Sequence, residues 1–512
     1  MITLTLLFTI VLTTFTNTNM ESIKTTSRLL ILSLIYTIIL NLMDYNIIIG
    51  DQIYYIYNGL LTINSLNYII TLLILIISIY YISIIANNIT NIKYYDNLIY
   101  KNKLLIIIIN FNTLGLILLT QINDIILLFI IIELQSYSLY IITSLFNKSI
   151  NTLKAGLLYF IVGSIGSLII LDSTISIYDE TGLTNIQYII SLFYPNTFTE
   201  FEFNQLLGAP WFFIIIGIFI KLGLAPFFNY SIIIYTLTPT IITYYISLLP
   251  KLSLLTIFNI FIYFLYSPNY IQYINYINIL LVLSLFIGSI GGLNVIKIKT
   301  LLAYSSLLNI TYIIISLINF NYYSILTFFY YITQYSIIHL LIFNIILILP
   351  IYININILPN SNNNNNSNFI ILSKYSPIEF ISQFNYLINS KAIFLAISFT
   401  IALFSLIGIP PIIGYYGKLL ILINTIYNNN ILFAILIIIV SSISILYYSN
   451  IIKTIWFNIN INLNSNSNSK SKIELLELNN ITYIISILTL ISVFNFIEYN
   501  NILRGIYIIL YN

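Results

Sequence analysis

Apolar runs of bilayer-crossing length follow one another along almost the whole chain. A helix needs about twenty mostly apolar residues to cross a membrane. Fourteen such runs can be laid down, at 2–17, 28–43, 66–86, 104–120, 122–146, 154–176, 210–237, 240–266, 271–289, 292–319, 322–350, 392–425, 430–456 and 480–498. A soluble globule would need charge to cover itself, at roughly a quarter of its residues. Only 6% of these 512 residues are charged and 59% are hydrophobic. The pattern predicts an all-α polytopic membrane protein of about fourteen transmembrane helices. Residues 2–17 have no basic flank and no small-residue cleavage site, so they read as a span rather than a targeting segment.

The charges test the count. Outside the spans, fourteen of fifteen cations fall in connections that follow odd-numbered spans, and only Arg504 falls on the other side. Asp44, Asp51, Asp124, Asp172, Asp179, Glu180, Glu200, Glu202 and Glu498 lie opposite the lysines. Cations stay on the side of insertion, here called cis, so both termini are predicted on the trans side. The tracts 360–368 and 464–472, rich in Asn and Ser, fall in cis connections and read as linkers. Trp211 and Trp456 stand at span ends, where interfacial aromatics belong.

Two spans are too long for one straight crossing, and both carry proline near the middle. Pro226 lies in "KLGLAPFF" of span seven, and Pro410 and Pro411 lie in "LIGIPPIIGYYGK" of span twelve. Proline removes a helical hydrogen bond, so both helices are predicted to break. Spans seven and twelve run in opposite directions and stand five apart. That arrangement predicts two inverted five-helix repeats, spans four to eight and nine to thirteen, and a midplane ion site. The domains then read as 1–100 for three N-terminal spans and 101–270 for the first repeat. The second repeat is 271–457, with an Asn-rich loop at 351–391. Residues 458–512 hold a polar loop, the last span and a short tail.

Within this apolar setting Glu133, Lys221, Lys251 and Lys418 are ionisable groups placed far from either surface, as is His339. An intramembrane charge costs about 3 kcal/mol or more, so these groups must be paired, hydrated or neutral. Glu133 and Lys221 each lie eleven residues into spans that start on the trans side. Both are therefore about 17 Å deep, which predicts an ion pair. Lys251 lies eleven residues into span eight from the cis side, and Lys418 follows the break in span twelve. All four sit at compatible depths. Desolvation favours a neutral lysine and a nearby carboxylate favours a charged one, so a lysine between the two can pass a proton when its partner moves. The plainer reading is a set of structural ion pairs, which leaves two lysines unneutralised. His339 fits either a relay role or a simple hydrogen bond to a neighbour.

The chain has no cysteine and one histidine, which excludes disulfides, thiolate-held iron–sulfur clusters and multi-histidine metal or haem sites. Heavy use of Ile, Asn and Tyr reads as A/T-rich coding of the kind found in organelle genomes, so a lone Tyr or Asn carries little signal.

The stretches "FIIIELQSYSLY", "IFIKLGLAPFF", "TPTIITYYISLLPKLSLL", "IKTLLAYSSLLNITY" and "GIPPIIGYYGKLLIL" together resemble the chain 2 family of respiratory NADH:ubiquinone oxidoreductase, complex I. The resemblance covers roughly residues 100–430. It implies an antiporter-like fold and a proton-translocating membrane-arm subunit of the mitochondrial inner membrane. Its termini would face the intermembrane space. It implies Glu133 as the acid paired with Lys221, Lys251 as the central relay lysine and Lys418 as the terminal one. NADH, FMN, iron–sulfur clusters and ubiquinone would bind partner subunits rather than this chain. Sister antiporter-like chains, small accessory subunits and lipids would be its neighbours, and nucleic acid would not. The sequence departs from the family after Pro226, where "FFNY" stands in place of a His-Phe-Trp run. The Asn-rich insertions point to a yeast lineage. A free-standing cation/proton antiporter of the same fold and a structural subunit that carries no protons are the rival readings.

The charge pattern gives a first test. In mitoplasts, protease or impermeant label added from the intermembrane side should leave 360–368 and 464–472 untouched, and access from the matrix should cut or label both. Cutting from the intermembrane side would overturn the span count.

Overall fold

The computed structural model describes residues 20–48, 54–90, 96–146, 149–192, 200–265, 271–318, 322–357, 378–389, 392–457 and 479–511, with five isolated positions before residue 12. The tracts 360–368 and 464–472 thus lie outside the described residues, as do eleven of the sixteen residues of span 2–17. The chain runs through α1 (Met20–Ile48), β1 (Tyr54–Ile56), β2 (Leu61–Ile63), α2 (Ser65–Thr90), α3 (Asp96–Thr120), α4 (Ile125–Ser144), α5 (Ile150–Thr181), α6 (Ile186–Leu192), α7 (Glu200–Leu222), α8 (Phe228–Leu237) and α9 (Thr240–Leu265). It continues through α10 (Ile271–Gly291), α11 (Ile298–Ile318), α12 (Tyr322–Ile357), a 3-10 turn at Ile381–Asn385, α13 (Tyr386–Asn389), α14 (Ile393–Ile407), α15 (Ile413–Tyr427), α16 (Ile431–Trp456) and α17 (Asn479–Tyr511). Among the described residues ten helices are long and apolar enough to cross a membrane. The innermost are α9 and α11, each buried over 94% of its span, whereas α5 and α10 are 33% buried and turn apolar side chains outward.

The expectation of a purely helical chain is corrected by one hairpin. Strands β1 and β2 pair antiparallel, Tyr54 opposite Ile63 and Ile56 opposite Leu61. Their turn places Tyr57, Asn58 and Gly59 at φ 52°, 56° and 86°. Asn-Gly between short apolar runs favours such turns, because both residues tolerate the left-handed region. The hairpin ties three connections together. Thr62 N–H donates to Gln121 at 2.8 Å and Asn123 N–H to Leu60 at 3.0 Å. Ile186 N–H donates to Asn123 at 2.8 Å, and Ile125 N–H to Thr184 at 2.9 Å. The connections after spans two, four and six therefore share one end, as strict alternation requires. At the other end Ile298 N–H meets the Glu379 carbonyl at 2.9 Å, which joins the connections around spans nine and eleven.

Three further expectations change. Helix α7 begins at Glu200, ten residues before the predicted start of span seven. Glu200 and Glu202 were expected outside the span, yet both lie in this helix, which also carries Pro210 inside it. Trp211 is not at a lipid interface: it is fully buried, 5.4 Å from the Phe261 ring. Lys103 and Lys299, assigned from the sequence to the cis connections, are 3% and 6% exposed.

Helices α7 and α14 end in the same way. Gly223 and Gly408 adopt φ 73° and 88°. Their N–H groups donate to Phe219 and Phe404 at 3.0 and 2.9 Å, and the next residues, Leu224 and Ile409, return to those same carbonyls. This left-handed closure stops a helix while satisfying its last carbonyls, and each time proline follows within three residues. The chain resumes helix five residues after each glycine, at Phe228 and Ile413.

The second restart packs so closely that a Cβ on Gly414 would fall on the carbonyl oxygen of Ser405 in α14. A backbone oxygen cannot move aside alone, so Gly414→Ala should cost ~3 kcal/mol or more and sharply reduce assembled protein on native gels. Gly505→Ala, where an added methyl meets nothing within 4 Å, should assemble normally.

Candidate functional site

The four interior charges are carried by α4, α7, α9 and α15. Glu133 projects from α4, and Lys221 stands one residue before the end of α7. Lys221 Nζ lies 3.9 Å from Glu133 Oε1, with side chains 8% and 15% exposed. The pair that equal depth predicts is therefore formed, at the long edge of ion-pair contact. Ser136, one turn along α4, donates its hydroxyl to the Glu133 carbonyl at 2.9 Å and lies 3.4 Å from the carboxylate. A cavity of about 20 Å³ borders Lys221, Gln135, Ser136 and Pro250, enough for one water.

Lys251 is separate from this pair. Its ammonium donates to Ser306 Oγ of α11 at 3.3 Å and stands 5.2 Å over the Tyr235 ring. Among the described residues no carboxylate lies within 4 Å of it. A hydroxyl and a ring face stabilise a cation more weakly than a carboxylate does.

His339 accompanies Lys251 through Ser247, one turn away on α9. The Ser247 hydroxyl and His339 Nε2 are 2.7 Å apart, and the imidazole packs 4.5 Å from Phe343. A second cavity of about 20 Å³ borders Tyr235, Ser247, Asn309, His339 and Leu406. Helix α9 thus borders two cavities of one water each, one at Pro250 and the other at Ser247, three residues away.

Lys418 reaches back from α15 across the break. Its ammonium donates to the carbonyls of Leu406 and Ile407 at 2.7 and 2.8 Å, where α14 ends. Those carbonyls lack intrahelical partners and carry the negative end of the helix dipole, which suits a cation. At the first break the Tyr230 hydroxyl donates to the Ile220 carbonyl instead. Pro226, Pro410 and Pro411 themselves lie in the non-helical segments between the helix ends and restarts.

The structure brings Glu133 and Lys221 together. It sets Lys251, His339 and Lys418 apart from that pair, each with its own partners. It also adds residues that sequence reasoning passed over. Lys299, at the start of α11, donates to the Thr238 carbonyl at the end of α8 at 2.7 Å, a second buried ammonium on a helix end. Ser247, Ser306 and Tyr235 had no distinguishing signal, because Ser and Tyr abound in this chain. A polar stripe links α4 to α9 as well. Tyr245 donates to Asn112 at 2.7 Å, and Asn112 donates to the Gln135 carbonyl at 3.1 Å.

Apolar helices around partnered interior charges, with two helices closed and restarted mid-chain, define an antiporter-like membrane protein. The family model for the NADH:quinone oxidoreductase/Mrp antiporter transmembrane region matches residues 122–444. NADH-ubiquinone oxidoreductase chain 2 of Wickerhamomyces canadensis is 49% identical over 327 residues, 60% of this chain and 54% of the relative. That of Rhizopus oryzae is 32% identical over 68% of this chain and 63% of its own length. That of Candida albicans is 35% identical over 70% and 68%. The aligned segment spans less than two thirds of the first two relatives. A chain in respiratory complex I from Thermus thermophilus with bound aureothin superposes with TM-score 0.72 at 17% identity, over 99% of both chains. A chain of the Mrp complex from Dietzia sp. superposes with TM-score 0.74 at 14% identity, over 99% of this chain and 95% of that one. This chain belongs to the NADH:quinone oxidoreductase/Mrp antiporter transmembrane family, among the NADH-ubiquinone oxidoreductase chain 2 proteins.

Glu133→Gln should strand the Lys221 ammonium. Losing one partner of a buried pair costs ~3–5 kcal/mol, whereas replacing both is often near neutral. Glu133→Gln with Lys221→Met should therefore assemble better than Lys221→Met alone, which leaves an unpaired carboxylate. Native-gel yields of the three variants measure this, and a double variant no better than either single one would contradict a coupled pair.

Proposed function

We propose that the chain is a core membrane subunit of the proton-pumping NADH:ubiquinone oxidoreductase of the mitochondrial inner membrane, and that Glu133, Lys221, Lys251 and Lys418 form its proton relay. The observation that carries this reading is the position of α9. Lys251 has no carboxylate beside it among the described residues, and its helix borders two water-sized cavities, one against Lys221 and one against His339 and the end of α14. When Glu133 draws Lys221 closer, less positive charge faces Lys251, and Lys251 takes up a proton. When Lys221 swings back, repulsion favours release through the His339 cavity toward Lys418. Water and hydroxyls bridge the gaps that no direct contact spans.

The fourteen-span topology belongs to this proposal. Ten single helices, the interrupted pairs α7–α8 and α14–α15, the bent α17 and residues 2–17 account for fourteen crossings. The termini then lie in the intermembrane space. The matching closures at Gly223 and Gly408 support two inverted repeats within 101–270 and 271–457. Electrons take no path through this chain. NADH, FMN, iron–sulfur clusters and ubiquinone sit in partner subunits, and sister antiporter-like chains and small accessory subunits flank it in the membrane arm. Likeness to the Mrp complex chain favours a second reading, a cation/proton antiporter independent of NADH. Copurification with the NADH-oxidising subunits in mild detergent separates the two.

Lys251→Met should leave the complex assembled and strongly lower proton uptake per NADH oxidised. Lys251→Arg should also fail, since a guanidinium with pKa above ~12 does not release its proton near neutral pH. NADH:quinone turnover and proton uptake, measured on assembled complex, test both. Pumping at the wild-type ratio in Lys251→Met would return these charges to a structural role.

A further inference from the structure

The short helix α8 is the second half of span seven, and it touches both the Lys221 end of that span and Lys251. Near its start the Tyr230 hydroxyl donates to the Ile220 carbonyl, next to Lys221 in the chain. Further along, the Tyr235 ring lies under the Lys251 ammonium, 5.2 Å from Nζ to the ring centre. At its end the Thr238 carbonyl accepts from Lys299 Nζ of α11 at 2.7 Å. Tyr235 and Thr238 stand three apart on α8, and Lys299 and Ser306 seven apart on α11, so each pair shares one face of its helix. The two faces meet around Lys251, whose Nζ donates to Ser306 Oγ at 3.3 Å.

Both partners of this ammonium are one-sided. A serine hydroxyl has a single proton, and Ser306 gives it to the Ala303 carbonyl at 2.8 Å. Its oxygen is thereby left to accept. An aromatic face attracts a cation and has no proton to give. A charged Lys251 therefore finds an acceptor and a negative ring face. A neutral amine carries a lone pair that calls for a donor, and neither Ser306 nor the ring face supplies one. Tyr235 and Ser306 are themselves buried, so little solvent screens the attraction.

We propose that Tyr235 and Ser306 are positioning residues that form a seat for the charged form of Lys251. The lysine then holds its proton until positive charge on the Lys221 side outweighs the seat. Release passes one proton from Lys251 Nζ to water. The neutral amine left behind has no donor in the seat, and a proton taken up from water restores the ammonium to it. Because Tyr235 belongs to α8, the seat is built partly from the span that carries Lys221. The inference rests on the relay reading of Lys251 and adds what holds its proton between steps.

The test compares Tyr235→Leu with Tyr235→Phe, and Ser306→Ala with Ser306→Thr, in assembled complex. Tyr235→Leu removes the ring face and should lower proton uptake per NADH oxidised ~threefold or more, and Tyr235→Phe should restore it. Ser306→Ala should lower it ~twofold or more, and Ser306→Thr, which keeps the hydroxyl, should restore it. In a Lys251→Met background, neither Tyr235→Leu nor Ser306→Ala should slow NADH:quinone turnover further, because the seat acts only through this lysine. Wild-type uptake in Tyr235→Leu or in Ser306→Ala overturns the proposal. So does a Tyr235→Phe variant as impaired as Tyr235→Leu, or added loss on the Lys251→Met background, which a merely structural ring or hydroxyl would give. If Tyr235→Leu does not assemble, the Ser306 pair decides. Lys251→Met pumping at the wild-type ratio would instead defeat the relay itself, and the seat with it.

Discussion

A buried ammonium needs a negative partner, and a helix that stops inside an apolar bundle leaves carbonyls without donors. Here the two needs answer each other. Lys418 rests on the carbonyls that end α14, and Lys299 on the carbonyl that caps α8. Either feature alone would be costly: an unpaired cation in apolar surroundings, or a helix end with unsatisfied acceptors. Much of the arrangement of α8, α11, α14 and α15 follows from keeping these contacts together. Gly408 and Gly414 allow the close approach that Lys418 uses, the first by its left-handed backbone and the second by having no side chain to strike Ser405.

The two breaks share a backbone motif and differ in how charge is met. At the second, the lysine lies on fixed backbone acceptors. At the first, the neutral Tyr230 hydroxyl takes a helix-end carbonyl, and Lys221 turns to the Glu133 side chain 3.9 Å away. A carboxylate on rotatable bonds can shift, whereas a backbone carbonyl held by the closure of its helix cannot. Under the proposed function this makes the Glu133–Lys221 pair the movable element and the Lys418 site the stationary one. Lys251, on a hydroxyl and an aromatic face, is the most weakly held of the three lysines and the one that neighbouring charge can most readily influence.

The ends of the bundle are tied by main chain rather than by charge. The hairpin, the connection before α4 and the residues before α6 exchange backbone hydrogen bonds, and the Asp124 side chain caps α4 by accepting from Leu127 N–H at 2.9 Å. Stability comes largely from the buried apolar faces of α9, α11 and α12.

By itself the sequence determined the membrane class, the proline-bearing segments before which α7 and α14 end, and the pairing of Glu133 with Lys221. Each rests on a property that apolar surroundings amplify: uninterrupted hydropathy, charge excluded from lipid, and proline's missing N–H. It misplaced what depends on neighbours. Lys299 looked interfacial because it stands at a helix start, and only the packing of α8 against α11 buries it. Trp211 looked like a boundary marker because a loop seemed to precede it, and only tertiary structure extends α7 back to Glu200 and sets the indole beside Phe261. Ser306, Tyr235 and Ser247 were indistinguishable from compositional drift. Their significance lies in converging on one ammonium or one imidazole from segments far apart in the chain, and that convergence is made by the fold.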